Sequence, residues 1–469
     1  MSSPGGRAGG QVTDEGESER SFHMSDQTRA QELIELNRRY TFFSWATQSV
    51  VKPLAVAEAK GCYFWDADGK RYLDFSSQLM NVNTGHGHPK VVAAIREQAE
   101  RLCYVYPGMA TQPRGELGRL LADVTPGDLS KAFFTLGGAD AVDNAIKLAR
   151  LYTGRQKIVA RYRSYHGATY GAISATGDPR RLPVEPGIPG IVRVFDPYCY
   201  RCVFGQEPAS CHRECITHIE EVIRFEGPDR VAAILFEGVT GSSGIFVPPD
   251  DYWPRLREMC DKYGILLISD EVMSGFGRTG EWFAVDNWQV IPDMMIVAKG
   301  LTSGHIPLGA VIVSRPIADH FEDRYLPLGL TYSAHTLACA AGVATIQAYR
   351  EDGLIENAKQ LGQTLGRSLE ALKEKHPSVG DVRYIGLFSV IELVKNKNTR
   401  EPLAPWNARP EELGVMAEVL PALRERGLST FVKWNWIFVV PPLCITEEEL
   451  RTGLSIIDEV LEMTDKEAQ

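Results

Sequence analysis

Four apolar runs in one stretch of the chain constrain its fold more than any other feature. VAAILFEG, ILLISDEV, MMIVAKG and PLGAVIVS follow one another between positions 231 and 314, and the helical segment DDYWPRLREMCDKYG separates the first two. A strand with one face in water alternates apolar and polar residues. Runs apolar at every position instead describe strands covered on both faces, as in a largely parallel sheet between helices. This predicts an α/β domain. In such sheets ligands gather beyond the carboxyl ends of the strands, where this reading places Glu237, Asp270 and Lys299. Lys299 is the least expected of these. A lysine at the mouth of a core strand either snorkels to water or has its pKa lowered until it becomes a nucleophilic amine.

The whole chain of 469 residues, 44% hydrophobic and 23% charged, has length for a large core in two or more lobes. A net charge of -10 without a dense Lys/Arg run argues against nucleic acid as a partner. No apolar run approaches the roughly 18 to 20 residues of a membrane span, and the first residues lack a signal pattern. The expectation is a soluble, cytoplasmic protein. Residues 1–27, rich in Gly, Ser and acids, read as a flexible tail, with Met24 a second candidate start. Nine cysteines spread through such a chain read as reduced thiols.

Upstream, FFTLGGADAVDNAIKLARLYTG reads as a strand end, a Gly-Gly turn and a long helix. Glycines before a helix N-terminus let N–H groups approach a phosphate, although Gly-Gly is also a plain turn. ITEEELRTGLSIIDEVLEM carries Thr446 and Glu449 at capping-box spacing, with Leu450, Leu454, Ile457 and Leu461 on one face. A lysine amine, a carboxylate at a neighbouring strand end and a phosphate cup are together the parts that hold pyridoxal phosphate. The lysine bonds the aldehyde, the carboxylate keeps the ring nitrogen protonated, and the cup takes the phosphate.

SDEVMSGFGRTGEWFA, PDMMIVAKGLTSGHIPLGAVIVS and LTYSAHTLACAAG together resemble the class III, or ω-, aminotransferases of pyridoxal-phosphate fold type I. The resemblance runs from about Pro53 to the C-terminal helix, through YFWDADGKRYLDFSSQLMNVNTGHGHPKV, FFTLGGADAVDNAIKLAR and RSYHGATYGA. It implies a large domain with a mostly parallel sheet over residues 81–345. A smaller α+β domain would be built from both chain ends, 28–80 and 346–469. It implies Lys299 as the Schiff-base lysine and Asp270 on the pyridine nitrogen. Val272 and Tyr165, followed by His166, would lie on the two ring faces, and Gly138 and Ala139 would offer N–H groups to the phosphate. Thr331 would reach the phosphate of a neighbouring subunit, making the active unit a homodimer or a pair of dimers. Glu237 falls where relatives place an acid on the substrate side, or it forms an ion pair; Val272 is equally ordinary core, and Tyr165 and Thr331 ordinary loop residues.

The sequence departs from the family pattern in three places. The cup reads GGAD, without the hydroxyl and glutamate of many relatives, so backbone N–H groups carry more of the phosphate. LTYSAHTLACA has Ala334 and Thr336 where many relatives have Gly and Pro. FVKWNWIFVVPP lacks the arginine that many relatives place there for a substrate carboxylate, which leaves Lys433 as the nearest cation in that stretch. With Trp45 of YTFFSWATQS, Lys433 and Trp436 are the candidate substrate contacts; Phe42, Phe43, Trp45, Trp434 and Trp436 suit an apolar substrate as well as they suit a core. The resemblance thus implies transfer of an amino group from an ω-amino acid or primary amine to pyruvate, with decarboxylation, amino-mutation or cofactor binding without turnover as alternatives. Cys199, Cys202, Cys211 and Cys215 are spaced like metal ligands, but transamination needs no metal and a metal-free loop is the favoured reading.

Overall fold

The computed structural model describes residues 26–469, with side chains from Arg29; the tail through residue 25 and Met24 lie outside the described residues. Contacts divide the chain into two units. One comprises Met1–Glu58 and Trp65–Lys70. It holds the helix Asp26–Tyr40 and a turn in which the Gln48 side-chain amide bonds both the N–H and the carbonyl of Phe43. Trp45 sits in this unit, exposed and with a left-handed backbone. The other unit, Ala59–Phe64 with Arg71–Gln469, carries everything described below.

Its centre is a seven-stranded sheet. The strands are β1 (Leu129–Thr135), β2 (Lys157–Arg161), β3 (Ile191–Val194), β4 (Val231–Glu237), β5 (Leu266–Asp270), β6 (Met294–Val297) and β7 (Gly309–Ser314). They lie side by side in the order β1-β7-β6-β5-β4-β2-β3. Neighbours from β6 to β3 are parallel, whereas β7 runs antiparallel to both β1 and β6. The continuous apolar runs are explained by burial on both sides. Along β4, Ala233 and Leu235 pack with the helix Gly138–Thr153 through Val142, Ala145 and Ile146. Ile234 and Phe236 enter the larger core on the opposite face with Trp253 and Leu256 of the helix Tyr252–Tyr263. Every residue of β4 is buried, so a polar substitution on either face strands an unpaired group.

A second, five-stranded antiparallel sheet follows in β8 (Val379–Ile385), β9 (Phe388–Asn396), β10 (Glu401–Pro402), β11 (Val432–Lys433) and β12 (Trp436–Val439). The long helix Leu354–Lys375 buries Leu361, Leu365, Leu369 and Leu372 in the same core as β8 and β9. The C-terminal helix Glu447–Asp465 opens with the expected capping box: Thr446 Oγ1 accepts from the Glu449 N–H at 3.2 Å, and Glu449 Oε2 accepts from the Thr446 N–H at 2.8 Å. Leu450, Leu454, Ile457 and Leu461 are all buried. The molecule is α/β, with a parallel-rich sheet between helices and an α+β portion toward the C-terminus.

Candidate active site

The ladder places the charged residues at strand ends next to one another. Glu237 pairs with Asp270 across β4 and β5, and Asp270 pairs with Ile296 of β6. Three residues past Ile296 the chain turns through Lys299 in a left-handed conformation (φ 40°), a costly setting for a side-chain-bearing residue that recurs at functional sites. Lys299, Asp270 and Glu237 line one cavity of about 410 Å³ with Gly138, Ala139, Tyr165, His166 and Val272. Eight of the nine sequence-nominated cofactor residues therefore meet in one place. Thr331 is exposed and is not among the residues lining that cavity. Its carbonyl accepts a hydrogen bond from Tyr104 Oη at 2.8 Å.

Each group is held by the fold. Asp270 Oδ2 lies 2.7 Å from His166 Nδ1, and its Oδ1 accepts from the Val272 N–H at 3.1 Å. The carboxylate is buried and fixed on two sides. Glu237 Oε1 accepts from the Tyr165 N–H at 2.9 Å, and Oε2 from the Gly241 N–H at 2.6 Å. Burial, reinforced by the Asp270 charge and opposed by His166, raises the Glu237 pKa. Burial also lowers the Lys299 amine to about 8; Asp270 and Glu237 oppose that shift and Arg180 adds to it. About a tenth of the amine is then neutral and nucleophilic at pH 7, and about half at pH 8.

The cup is the N-terminus of the helix Gly138–Thr153. Asp140 accepts from the N–H groups of Leu136 (2.7 Å) and Gly137 (2.8 Å), which leaves Gly138 and Ala139 at the first turn, where N–H groups have no acceptor within the helix. A Cβ on Gly138 would stand 3.0 Å from both Val272 methyl carbons, filling the space between the cup and the residue expected against the ring. The group that this donor set fits is pyridoxal phosphate: anion seat, amine, buried carboxylate and flat apolar wall all border one cavity.

A class III aminotransferase family model matches residues 45–461. The chain belongs to the class III aminotransferases. A crystal structure of the taurine:2-oxoglutarate aminotransferase of Bifidobacterium kashiwanohense, in complex with PLP and glutamate, is 45% identical. It superposes with a TM-score of 0.90, covering 93% of this chain and 98% of that one. The (S)-enantioselective ω-transaminase of Thermomicrobium roseum is 37% identical, with a TM-score of 0.87 and coverage of 93% and 98%. Among curated proteins, the leucine/methionine racemase of Thermococcus litoralis is 37% identical over 92% of this chain and 96% of its own length. The taurine–pyruvate aminotransferase of Bilophila wadsworthia is 34% identical over 91% and 96%. As a class III aminotransferase the chain is a PLP-dependent transaminase.

The substrate candidates are placed less uniformly. Trp45 belongs to the N-terminal unit. Trp436 is buried in β12 among Phe246, Trp434 and Phe438, and is not among the cavity-lining residues. Lys433 donates to Asp178 Oδ2 (2.6 Å) and the Ser242 carbonyl (3.1 Å). Burial lowers its amine to about 8 despite Asp178.

Asp178 leads to a residue that sequence reasoning passed over. Arg180 donates from Nε to Asp178 Oδ1 (2.8 Å) and from Nη2 to Ser242 Oγ (3.0 Å), and its guanidinium lies 3.6 Å from the Tyr165 ring centroid. Burial works against the Asp178 charge, but Lys433 and Arg180 outweigh it and hold the carboxyl below its ordinary range. Two cations thus share one carboxylate beside a cavity-lining tyrosine. An arginine, absent from FVKWNWIF, thus stands beside Lys433 from another segment, GDPRRLP, whose sequence carries no local sign of that placement.

Cys199, Cys202, Cys211 and Cys215 line a separate, small cavity with Arg213. Burial and the neighbouring thiols push Cys199 up to about 11 and Cys215 up to about 12. Arg213 Nη1 sits 2.9 Å from Cys211 Sγ. Among the described residues no group of three or more His, Cys, Asp or Glu is disposed to hold a metal ion, and no helix is long and apolar enough to cross a membrane.

Proposed function

We propose that this transaminase moves the amino group of an ω-amino acid or primary amine to pyruvate in a ping-pong cycle, and that donors with an anionic far end are preferred. The observation that carries the preference is the Arg180–Asp178–Lys433 cluster. Its two cations and one anion leave a net positive charge beside Tyr165, which attracts a carboxylate or sulfonate. Relatives named for taurine, an ω-amino sulfonate, support the donor preference; the one named with pyruvate supports this acceptor, and the one named with 2-oxoglutarate supports that acceptor instead.

Bound pyridoxal phosphate supplies the electron sink that acidifies the donor carbon. The chain does the remainder. Asp270, oriented by His166, holds a negative charge where the ring nitrogen needs one. The Lys299 amine takes the proton from the donor carbon and delivers it as general acid. Gly138 and Ala139 anchor the phosphate, and Thr331 reaches the site of a second copy, so the working unit is a homodimer with shared sites, alone or paired into a tetramer, in the cytoplasm.

The same positive charge also favours a second reading, in which it holds the distal carboxylate of 2-oxoglutarate. Steady-state kinetics over taurine, β-alanine and an arylalkylamine, each with pyruvate and with 2-oxoglutarate, separates the two. Pyruvate is expected to lead. A tenfold advantage of 2-oxoglutarate in kcat/KM, about 1.4 kcal/mol in transition-state binding, replaces the first reading with the second. Product formation without any acceptor marks a decarboxylating or isomerising enzyme instead.

A further inference from the structure

Nine cysteines occur in the chain, and all are free. Two of them, 382 positions apart, nevertheless stand sulfur to sulfur: Cys62 Sγ and Cys444 Sγ are 3.6 Å apart. A disulfide needs about 2.05 Å between the sulfurs, so the gap to close is about 1.5 Å, within the reach of small side-chain rotations.

The backbone on both sides is held in place by hydrogen bonds. The Cys62 carbonyl accepts from the Asp74 N–H at 2.8 Å, while Gly61 exchanges two hydrogen bonds with His86. Cys444 lies between Leu443 and Ile445, whose carbonyls both accept from Asn357 Nδ2 (2.7 and 2.9 Å). The Leu443 N–H donates to the Asn83 carbonyl at 2.7 Å. A Cβ on Gly85 would stand 2.7 Å from Cys444 Sγ, so the absence of a side chain there leaves the sulfur its room.

The two thiols differ in access. Cys62 is buried, whereas Cys444 is half-buried and borders a cavity of about 530 Å³ with Thr84, His88, Asp352 and Gln360. From this geometry we infer that Cys62 and Cys444 form a reactive dithiol that closes to an intramolecular disulfide by exchange with a low-molecular-weight disulfide. Cys444 is the entering sulfur and Cys62 the resolving one. The hydrogen bond between them lowers the Cys444 pKa and, with burial second, raises the Cys62 pKa, the direction that the order of attack requires.

The steps balance. Cys444 thiolate attacks one sulfur of R–S–S–R, forming Cys444–S–S–R and releasing RS⁻. Cys62 then loses its proton and attacks Cys444 Sγ, forming the Cys62–Cys444 bond and releasing the second RS⁻. The two protein thiols give up two electrons and two protons, and the small disulfide is reduced to two thiols. The product ties the turn at Gly61 and Cys62, which pairs with His86, to the loop after β12.

The test uses the full-length holoenzyme and oxidised glutathione. After acid quenching, alkylation and non-reducing digestion, mass spectrometry should find the peptides of Cys62 and Cys444 joined. Cys103, which is exposed, should carry glutathione and so reports that the oxidant was active. Cys62→Ser should arrest the reaction at one glutathione on Cys444, and Cys444→Ser should leave Cys62 unmodified. The wild-type unfolding midpoint should rise by several degrees on oxidation and return with dithiothreitol, since the bond constrains a very long loop. A stable glutathione adduct on wild-type Cys444 without the joined peptides overturns the proposal. So does an untouched Cys444 in protein whose Cys103 has reacted.

Discussion

Replacing Arg180 by glutamine removes a charge and a planar fork while keeping a side chain of comparable reach. The wild-type cluster of Arg180, Asp178 and Lys433 has two positive charges and one negative; in the variant Lys433 and Asp178, 2.6 Å apart, neutralise each other and no net charge remains for a substrate anion. A hydrogen bond to a charged group contributes about 1.5–3 kcal/mol, and about 1.36 kcal/mol is one factor of ten. A loss of about 2 kcal/mol therefore predicts a drop of about 30-fold in kcat/KM for taurine or β-alanine. Arg180 also packs on Tyr165 and bonds Ser242, and losing those contacts should slow every donor alike. The diagnostic quantity is thus the ratio of taurine to an arylalkylamine, measured on the same preparation with the same acceptor. That ratio should fall by about tenfold or more, and Arg180→Lys, which keeps the charge without the fork, should lie between the two. If both donors slow in parallel, Arg180 supports the tyrosine and the anion-anchor argument is refuted.

Lys299→Ala should abolish cofactor retention through borohydride reduction and denaturation, read by intact mass, and should remove nearly all turnover with the circular dichroism unchanged; normal turnover without added amine contradicts the role of Lys299. Asp270→Asn keeps the shape beside His166 and Val272 but removes the charge, and should cost more than about 2 kcal/mol in the transamination barrier, as measured by single-turnover kinetics. With the Lys299 amine lowered to about 8, the rate at which apoenzyme captures pyridoxal phosphate should climb about tenfold per pH unit below that value and level off above it; a climb continuing to about pH 10 means an ordinary lysine. In mixed dimers with Thr331→Ala in one chain and Lys299→Ala in the other, the site that keeps its lysine receives the intact Thr331 of its neighbour and should hold cofactor normally, and weakened affinity there means that Thr331 acts within its own chain.

The sheet was legible in the sequence because burial on both faces leaves a local trace: VAAILFE and LLISD are apolar without alternation, and the structure buries every residue of β4 and β5. Lys299 was legible because a charged residue directly after such a strand conflicts with its surroundings. Thr446 and Glu449 were legible because a capping box lies within four residues. The Arg180 cluster left no such trace: it gathers Tyr165, Asp178, Ser242 and Lys433, and each contributing segment reads as an ordinary loop or edge. Aromatic richness does not separate pocket from core for a related reason. Trp434 and Trp436 pack on each other at 5.2 Å, and a core-facing tryptophan and a pocket-facing one look the same in one dimension. The Cys62–Cys444 pair is the extreme case, since no sequence pattern links positions that far apart.

The reversed strand β7 sets a length constraint around the reactive amine. Val297 pairs with Ala310 on one side of the turn, and Ala310 pairs with Phe134 on the other. The connection from 298 to 308 thereby joins two strands of one antiparallel ladder, with Lys299 two residues past the end of β6. Adding or deleting one residue ahead of Lys299 would shift the amine by roughly 3.3 Å, or force β7 to slip and exchange its two buried faces. Pro307 and Leu308 reach the cavity from the amino end of β7, opposite in sense to the carboxyl ends that deliver Glu237 and Asp270. The two-residue step from β6 to Lys299 is therefore closed to length variation, and changes in pocket shape have to come from later in this connection or from other segments of the wall.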